Sequence, residues 1–321
     1  MCLMQSADSF QSFPKSPFTE LQGFHRFLAP AKINLFLHIT GKRSDGYHEL
    51  QTVFRLLDFY DIIYLRVTPS PSIKRLNAIP NVTQTQDLCI RAAKLLQQYT
   101  HCTLGVDIVL EKNIPMGGGL GGGSSDAATV LIALNELWAL GLSRAELQVL
   151  GLQLGADVPF FLCGTNAWAE GIGEKLQPIP LKEAYYIVLN PNTHVTTAQI
   201  FANKQLTINT ISKTMSSFLG MANLESTANL ESVNSVSKVS AEGNMNAEFI
   251  NTLEKIVCAN YPAVLATLTW LKQFGDARMT GSGASVFLEI ENAQKAWAIY
   301  NQKPKDIFGF VAKGLNQHPL S

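Results

Sequence analysis

Six of the seven residues from Gly117 to Gly123 are glycine, Leu120 being the exception, and nothing else in the chain restricts its fold so tightly. A glycine run is costly in conformational entropy, so it calls for backbone that approaches something closely or adopts positive φ. Upstream, Val106, Ile108 and Leu110 alternate as one face of a strand that runs into Pro115. Downstream, Ala127, Val130, Leu131, Leu134, Leu137 and Trp138 recur at three and four, which predicts a helix from Ser124 to about Leu140 with Gly141 at its C-cap. Bare amides between a strand and a helix start can form a concave nest for anionic oxygens, and the helix adds its unpaired N–H groups and positive dipole end. Ser124 and Ser125 are expected to cap that helix and to reach phosphate or a phosphate-bound Mg2+. A simple hinge would explain the glycines but not their neighbours.

The loop is not of the Walker A kind, which ends in Gly-Lys-Ser/Thr, because it contains no lysine. Gly117, Gly119 and Gly122 fit GxGxxG, but a dinucleotide fold then needs a second strand ending in an acid about 20 residues on. Helical patterns stand there instead. One of them starts with capping-box spacing at Ser143 and Glu146 and runs to about Leu154.

The remaining patterns give an α+β chain of two domains. Ile33 to Ile39 reads as a strand, Ser44 to Gly46 as a turn, Leu50 to Phe59 and Asp61 to Val67 as two strands, and Leu88 to Tyr99 as a helix. Tyr185 to Leu189 opens the second domain, followed by helices at 247–258 and 262–274, a strand at 285–290 and a helix at 293–301. The division expected is a flexible extension at 1–24, an N-terminal domain at 25–183 and a C-terminal domain at 184–321. Residues 205 to about 246 are rich in Ser, Asn and Thr and repeat Ala-Asn-Leu-Glu-Ser, so a mobile or weakly helical insertion is expected there.

Lys plus Arg equals Asp plus Glu, 25 of each, so no broad attraction to nucleic acid or an anionic membrane is expected, and phosphate must be held locally. No run approaches 18 apolar residues, and the first 24 lack a signal-peptide core, which points to the cytoplasm. The five cysteines and six histidines show no zinc or redox spacing.

Lys32 lies in an apolar strand, where an inward ammonium is expensive without an anionic partner. Asp157, after Gly155-Ala156 and before Pro159, is the candidate partner. A carboxylate ionised at neutral pH could also orient a hydroxyl and accept its proton late. From residue types alone, a structural salt bridge is as good a reading.

The segment Pro115-Met116-Gly117-Gly118-Gly119-Leu120-Gly121-Gly122-Gly123-Ser124-Ser125 resembles the ATP loop of the galactokinase, homoserine kinase, mevalonate kinase and phosphomevalonate kinase superfamily. Pro30-Ala31-Lys32-Ile33-Asn34-Leu35, Asp45-Gly46-Tyr47-His48-Glu49-Leu50, Gly155-Ala156-Asp157-Val158-Pro159 and Ala169-Glu170-Gly171-Ile172-Gly173-Glu174 narrow the resemblance to the 4-diphosphocytidyl-2-C-methyl-D-erythritol kinase family. It covers most of 27–202 and a stretch at 277–290. The resemblance implies an N-terminal domain like the second domain of ribosomal protein S5, a ferredoxin-like C-terminal domain and an active site in the cleft between them. It implies ATP, with Mg2+, on 115–125, and Lys32 and Asp157 as the catalytic pair. The acceptor would be a small cytidine-diphosphate-linked alcohol phosphorylated on its 2-hydroxyl in non-mevalonate isoprenoid synthesis. Its contacts would include Asn34, Tyr47, His48, Phe201 and the second glycine turn at Gly281 and Ser282. The loop before Phe201 departs from the family's usual His-Pro-Gly and Thr-Pro elements. A sister kinase for homoserine or mevalonate would keep the glycine loop but lack Asp45-Gly46-Tyr47-His48. A non-catalytic nucleotide-binding module would bind ATP without turnover.

Overall fold

A hairpin of two long strands, β1 (His25–Lys42) and β2 (His48–Thr68), runs through the molecule. The computed structural model describes residues 21–203, 206, 208, 210–221 and 248–321. The two strands expected at Leu50–Phe59 and Asp61–Val67 are thus one. Asp61, the first residue of the second expected strand, is fully buried and accepts the amides of Asn113 at 2.6 Å and Ile114 at 2.9 Å. The ladder absorbs the irregularity as a bulge: Pro30 pairs with Tyr60 and Ala31 with Leu57, leaving Asp58 and Phe59 over.

β2 pairs antiparallel with β4 (Gly105–Glu111), whose other edge takes β3 (Ile73–Arg75) in parallel. It also pairs with β5 (Ala167–Glu170), which carries β6 (Lys175–Pro178). In the second half β7 (Tyr185–Asn190) lies between β10 (Phe308–Leu315) and β9 (Val286–Ile290), with β8 (Arg278–Met279) at the edge. β10, which the sequence patterns did not reveal, joins the halves through the pairs Gly314–Leu57 and Leu315–Leu56. Glycine is required at that crossing, since a Cβ at Gly314 would stand 2.2 Å from the Arg55 guanidinium.

Helices α1 (Leu88–Thr100), α2 (Gly122–Leu137), α3 (Arg144–Leu152) and α4 (Val158–Cys163) belong to the first half, in a core that includes Leu96, Leu131 and Phe160. α5 (Thr197–Phe201), α6 (Met215–Met221), α7 (Glu254–Asn260), α8 (Pro262–Lys272) and α9 (Ala293–Tyr300) follow, and a second core gathers Ile187, Leu268, Val286 and Val311. A third cluster, with Phe36, Phe59, Trp168, Phe249 and Phe310, bridges the two.

Local chemistry explains most boundaries. Asp87 caps α1 by accepting from the amides of Cys89 and Ile90, and the Ser143–Glu146 capping box starts α3. α2 departs from expectation. It begins at Gly122 with left-handed Gly121 as N-cap, so neither Ser124 nor Ser125 caps it. It ends at Leu137 with Trp138 as C-cap, and Gly141 lies beyond, at a φ of 70°.

The expected helix at 247–258 begins only at Glu254, because residues 250–252 bond to Leu37 of β1 instead. Part of the expected insertion is packed: Phe218 of α6 is buried beside Phe36 and Phe249. Its remainder at 222–246, both copies of the repeat included, lies outside the described residues, as do 1–20 of the expected extension. Residues Leu21 and Phe24 pack on Ile62, Tyr64 and Val109. Among the described residues, no helix is long and apolar enough to cross a membrane.

Candidate active site

Lys32 points inward from β1 and is 4% exposed. Its Nζ stands 3.2 Å from Asp157 Oδ2, donates to Asn34 Oδ1 at 2.8 Å, and lies 5.0 Å from the centre of the Phe54 ring. Asp157 occupies the N-cap position of α4 but makes no cap bond, because Pro159 is in the first turn and the backbone at 157 is already helical. Its carboxylate is therefore available to Lys32, and it is 33% exposed on the cavity side. Asn34 is oriented in turn: its Nδ2 donates to Thr52 Oγ1 at 2.9 Å and its backbone N–H to Thr280 Oγ1 at 2.8 Å. The lysine and the aspartate thus meet as the sequence suggests, with Thr52 and Thr280 added from elsewhere in the chain.

The glycine loop is gripped from two sides. The Lys32 amide donates to the Leu120 carbonyl at 3.0 Å, and the Ser285 amide donates to the Gly118 carbonyl at 3.1 Å. In a planar trans peptide the N–H points opposite to the C=O. The amides of Gly119 and Gly121 are therefore directed away from those protein donors. Positive φ at Gly117, Gly119 and Gly121 gives the arch its curvature. Close approach also forbids side chains: a Cβ on Gly117 would meet the His194 ring at 2.5 Å, and one on Gly121 would lie 3.0 Å from the Lys32 chain.

A cavity of about 820 Å³ runs past both features. Residues 115–124, Lys32, Asn34, Asp157, Tyr47, His48, Phe201, Gly281 and Ser282 all line it. Of the sequence-derived candidates, Ser125 alone does not: it is fully buried in the first turn of α2, its Oγ without a hydrogen-bond partner. Tyr47 is 59% exposed at the cavity rim, and the His48 and Phe201 rings are tilted together at 5.2 Å. Burial, with Lys42 nearby, lowers the pKa of His48 below its ordinary value and so favours the neutral ring. The Ser282 and Thr197 hydroxyls bond to each other at 2.7 Å.

Met116 apart, the residues of the cavity's apolar wall were not among the sequence-derived candidates. Ile79, Val82, Leu88, Leu110 and Met116 give the loop's far side an apolar wall. Asp87 is held at 2.8 Å by the buried Arg75 guanidinium. Lys112 bridges Asp61 and Asp126, the latter at 2.8 Å. Burial pushes the Asp126 carboxyl well above the usual carboxylate range against the pull of Lys112, and the neighbouring Asp61 adds to the rise. Burial alone would lower Lys112, but the two carboxylates outweigh it and hold the ammonium charged. Among the described residues, no group of three or more His, Cys, Asp or Glu side chains is placed to hold a metal ion.

Comparison with known proteins supplies the family. Residues 87–165 match the GHMP kinases N terminal domain and residues 228–305 the GHMP kinases C terminal domain. The chain is 49% identical to the 4-diphosphocytidyl-2-C-methyl-D-erythritol kinase of Thiobacillus denitrificans, covering 92% of this chain and 96% of that one. It is 49% identical to the enzyme of the same name from Nitrosospira multiformis, covering 91% and 92%. A crystal structure of 4-(cytidine 5'-diphospho)-2C-methyl-D-erythritol kinase superposes with a TM-score of 0.70 at 29% identity, over 90% of this chain and 99% of that one. Methanococcus jannaschii mevalonate kinase shares the fold, with a TM-score of 0.62 at 16% identity over 92% and 99%.

Proposed function

The chain belongs to the 4-diphosphocytidyl-2-C-methyl-D-erythritol kinase family, and from that membership we propose that it transfers the γ-phosphoryl group of ATP to the 2-hydroxyl of 4-diphosphocytidyl-2-C-methyl-D-erythritol. This is a step of non-mevalonate isoprenoid precursor synthesis. The observation that carries the proposal is the Lys32–Asp157 pair, which lines the same cavity as the glycine loop.

Phosphoryl transfer through a loose transition state is mainly a matter of alignment and charge stabilisation. The loop amides and the start of α2 receive the triphosphate, and the apolar wall at Ile79, Leu88 and Leu110 suits the adenine face. Asp157 orients the acceptor hydroxyl and takes its proton as the new P–O bond forms. Lys32 holds the Asp157 carboxylate in place and offsets charge growing on the transferred group. Asn34 fixes the ammonium and can accept or donate toward the acceptor's hydroxyls. Tyr47, His48 and Phe201 take the cytosine by stacking, with Gly281 and Ser282 beside the acceptor's own phosphates. Mg2+ would come with the nucleotide; Ser125, whose partnerless Oγ lies one residue beyond the cavity-lining Ser124, is the chain's candidate to meet it. In water the ion would supply charge neutralisation of the phosphates. A boundary near 183/184 is supported by the start of β7 at Tyr185 and by the two separate cores.

Release of ADP with a panel of acceptor alcohols tests the reading. Turnover is expected with the cytidine-diphosphate-linked methylerythritol and not with homoserine or mevalonate. Turnover with either of the latter and none with the former would overturn it.

A further inference from the structure

We propose that Asp61, Lys112 and Asp126 form a clip closing the foot of the glycine arch, so that Lys112 positions the nucleotide loop and does not itself bind phosphate. The inference rests on ATP occupying that loop, as proposed above.

Lys112 precedes the arch just past the end of β4, Asp126 follows it immediately after the first turn of α2, and Asp61 stands behind both on β2. Lys112 Nζ bonds both carboxylates, reaching Asp126 Oδ2 at 2.8 Å. Asp61 also accepts the amides of Asn113 and Ile114, the next two residues toward the arch. Four bonds involving three side chains therefore tie the entry strand, the exit helix and the central hairpin at one point. The fit is close, since a Cβ on Gly122 would come within 3.2 Å of Asp61 Oδ2.

Charge argues against the obvious alternative. Lys112 lines the cavity and could be taken for the lysine that a Walker A loop supplies. Yet its ammonium already faces two carboxylates, one of them fully buried and the other 3% exposed. An ammonium whose bonds and charge are already taken up by two buried acidic side chains has little to offer a phosphate. What the trio supplies is a fixed distance between the ends of the loop. Such a bridge left with one partner missing would strand a buried charge, which is strongly destabilising locally.

Two readouts on the full-length chain test the clip. One is hydrogen exchange of the amides at 113–124 without nucleotide; the other is KM for ATP against KM for the acceptor alcohol. Lys112→Met and Asp126→Ala are each expected to raise exchange in that segment at least about tenfold relative to the later turns of α2. They should raise KM for ATP at least about fivefold and leave acceptor KM within about twofold, an effect that general loss of structure would not confine to one substrate. Lys112→Arg, able to bridge both acids, should return both readouts toward the parent values. If Lys112 instead bound phosphate, Asp126→Ala would free the ammonium, KM for ATP would fall and loop exchange would stay unchanged; that result overturns the clip. Should Lys112→Met not fold, the combined Asp61→Asn, Lys112→Met and Asp126→Asn variant, which buries no unpaired charge, carries the same exchange test. Because exchange needs no turnover, the clip and the kinase reading fail separately.

Discussion

The carbonyl oxygen of Thr280 stands 2.4 Å from the point where a Cβ on Gly119 would sit. The constraint is mutual, because a Cβ on Gly281 would lie 3.1 Å from the Gly119 carbonyl oxygen. Glycine at 119 is thus demanded by another part of the same chain, before any ligand is considered. The turn at 280–285 comes from the second half of the molecule, so the arch is also part of the seam between halves.

Gly119→Ala should therefore be far more damaging than Gly46→Ala. Both positions have positive φ, at 76° and 89°, but the surroundings of Gly46 are open, with nothing within 4 Å of a Cβ. Left-handed strain alone costs roughly 1–2 kcal/mol, and overpacking adds about 1–3 kcal/mol more. Denaturant unfolding should show a loss of about 3 kcal/mol for Gly119→Ala and about 1 kcal/mol for Gly46→Ala. Equal losses would mean that the turn yields easily.

Asp157→Asn keeps the shape of the side chain but cannot accept a proton. General-base assistance contributes about 10²–10⁴-fold, so kcat should fall by at least about a hundredfold while KM for ATP stays within a few-fold. Steady-state kinetics in both substrates decides it. An undiminished kcat would remove Asp157 from the reaction and leave its bond to Lys32 as structural.

Phe201→Ala removes half of the aromatic pair with His48. Stacking on a base is worth about 1–3 kcal/mol, so acceptor KM should rise by roughly 5- to 150-fold with little change for ATP. The reverse pattern, a rise confined to ATP, would place the nucleobases the other way round in the cavity.

Two buried histidines should make stability fall with acidity. Burial, aided by the Lys213 charge, draws the pKa of His38 down to about 4, and burial with Arg144 draws that of His318 to about 3. Both are neutral in the fold but protonate in the unfolded chain near their ordinary value of 6.5. The unfolded state therefore binds more protons below that pH, so their contribution is complete above about pH 6.5 and declines as pH falls toward 4. Urea midpoints at pH 7.5 and 5 should differ clearly for the parent chain and less for a His38→Leu, His318→Leu double variant. An unaltered difference would assign the acid sensitivity to other groups.

What could be read from the sequence was whatever chemistry announces itself locally. A lysine in an apolar strand needs an anion, and Lys32 has Asp157; a glycine run between a strand and a helix needs a special backbone, and 117–123 has one. The Ser143–Glu146 cap was equally plain. What escaped was set at long range. Leu50–Phe59 and Asp61–Val67 read as two strands because the partners that carry the ladder through Tyr60 and satisfy Asp61, namely Pro30 and the amides of Asn113 and Ile114, lie elsewhere in the sequence. Lys112 and Asp126 went unremarked for the same reason. The start of α2 was misplaced because Ser124 and Ser125 are good caps by type, whereas Gly121 takes that position by its left-handed backbone against Lys32 and Phe161. β10 stayed hidden because its role depends on reaching β2, which no local period encodes.

The grip on Gly118 and Leu120 by backbone donors has a kinetic corollary. A receptor whose amides are already held in place spends little of its binding energy on ordering itself. Capture of a triphosphate should then run at a speed set by diffusion and charge, with no slow rearrangement ahead of it. Rigid mimics of the phosphate chain should also lose little affinity relative to flexible ones.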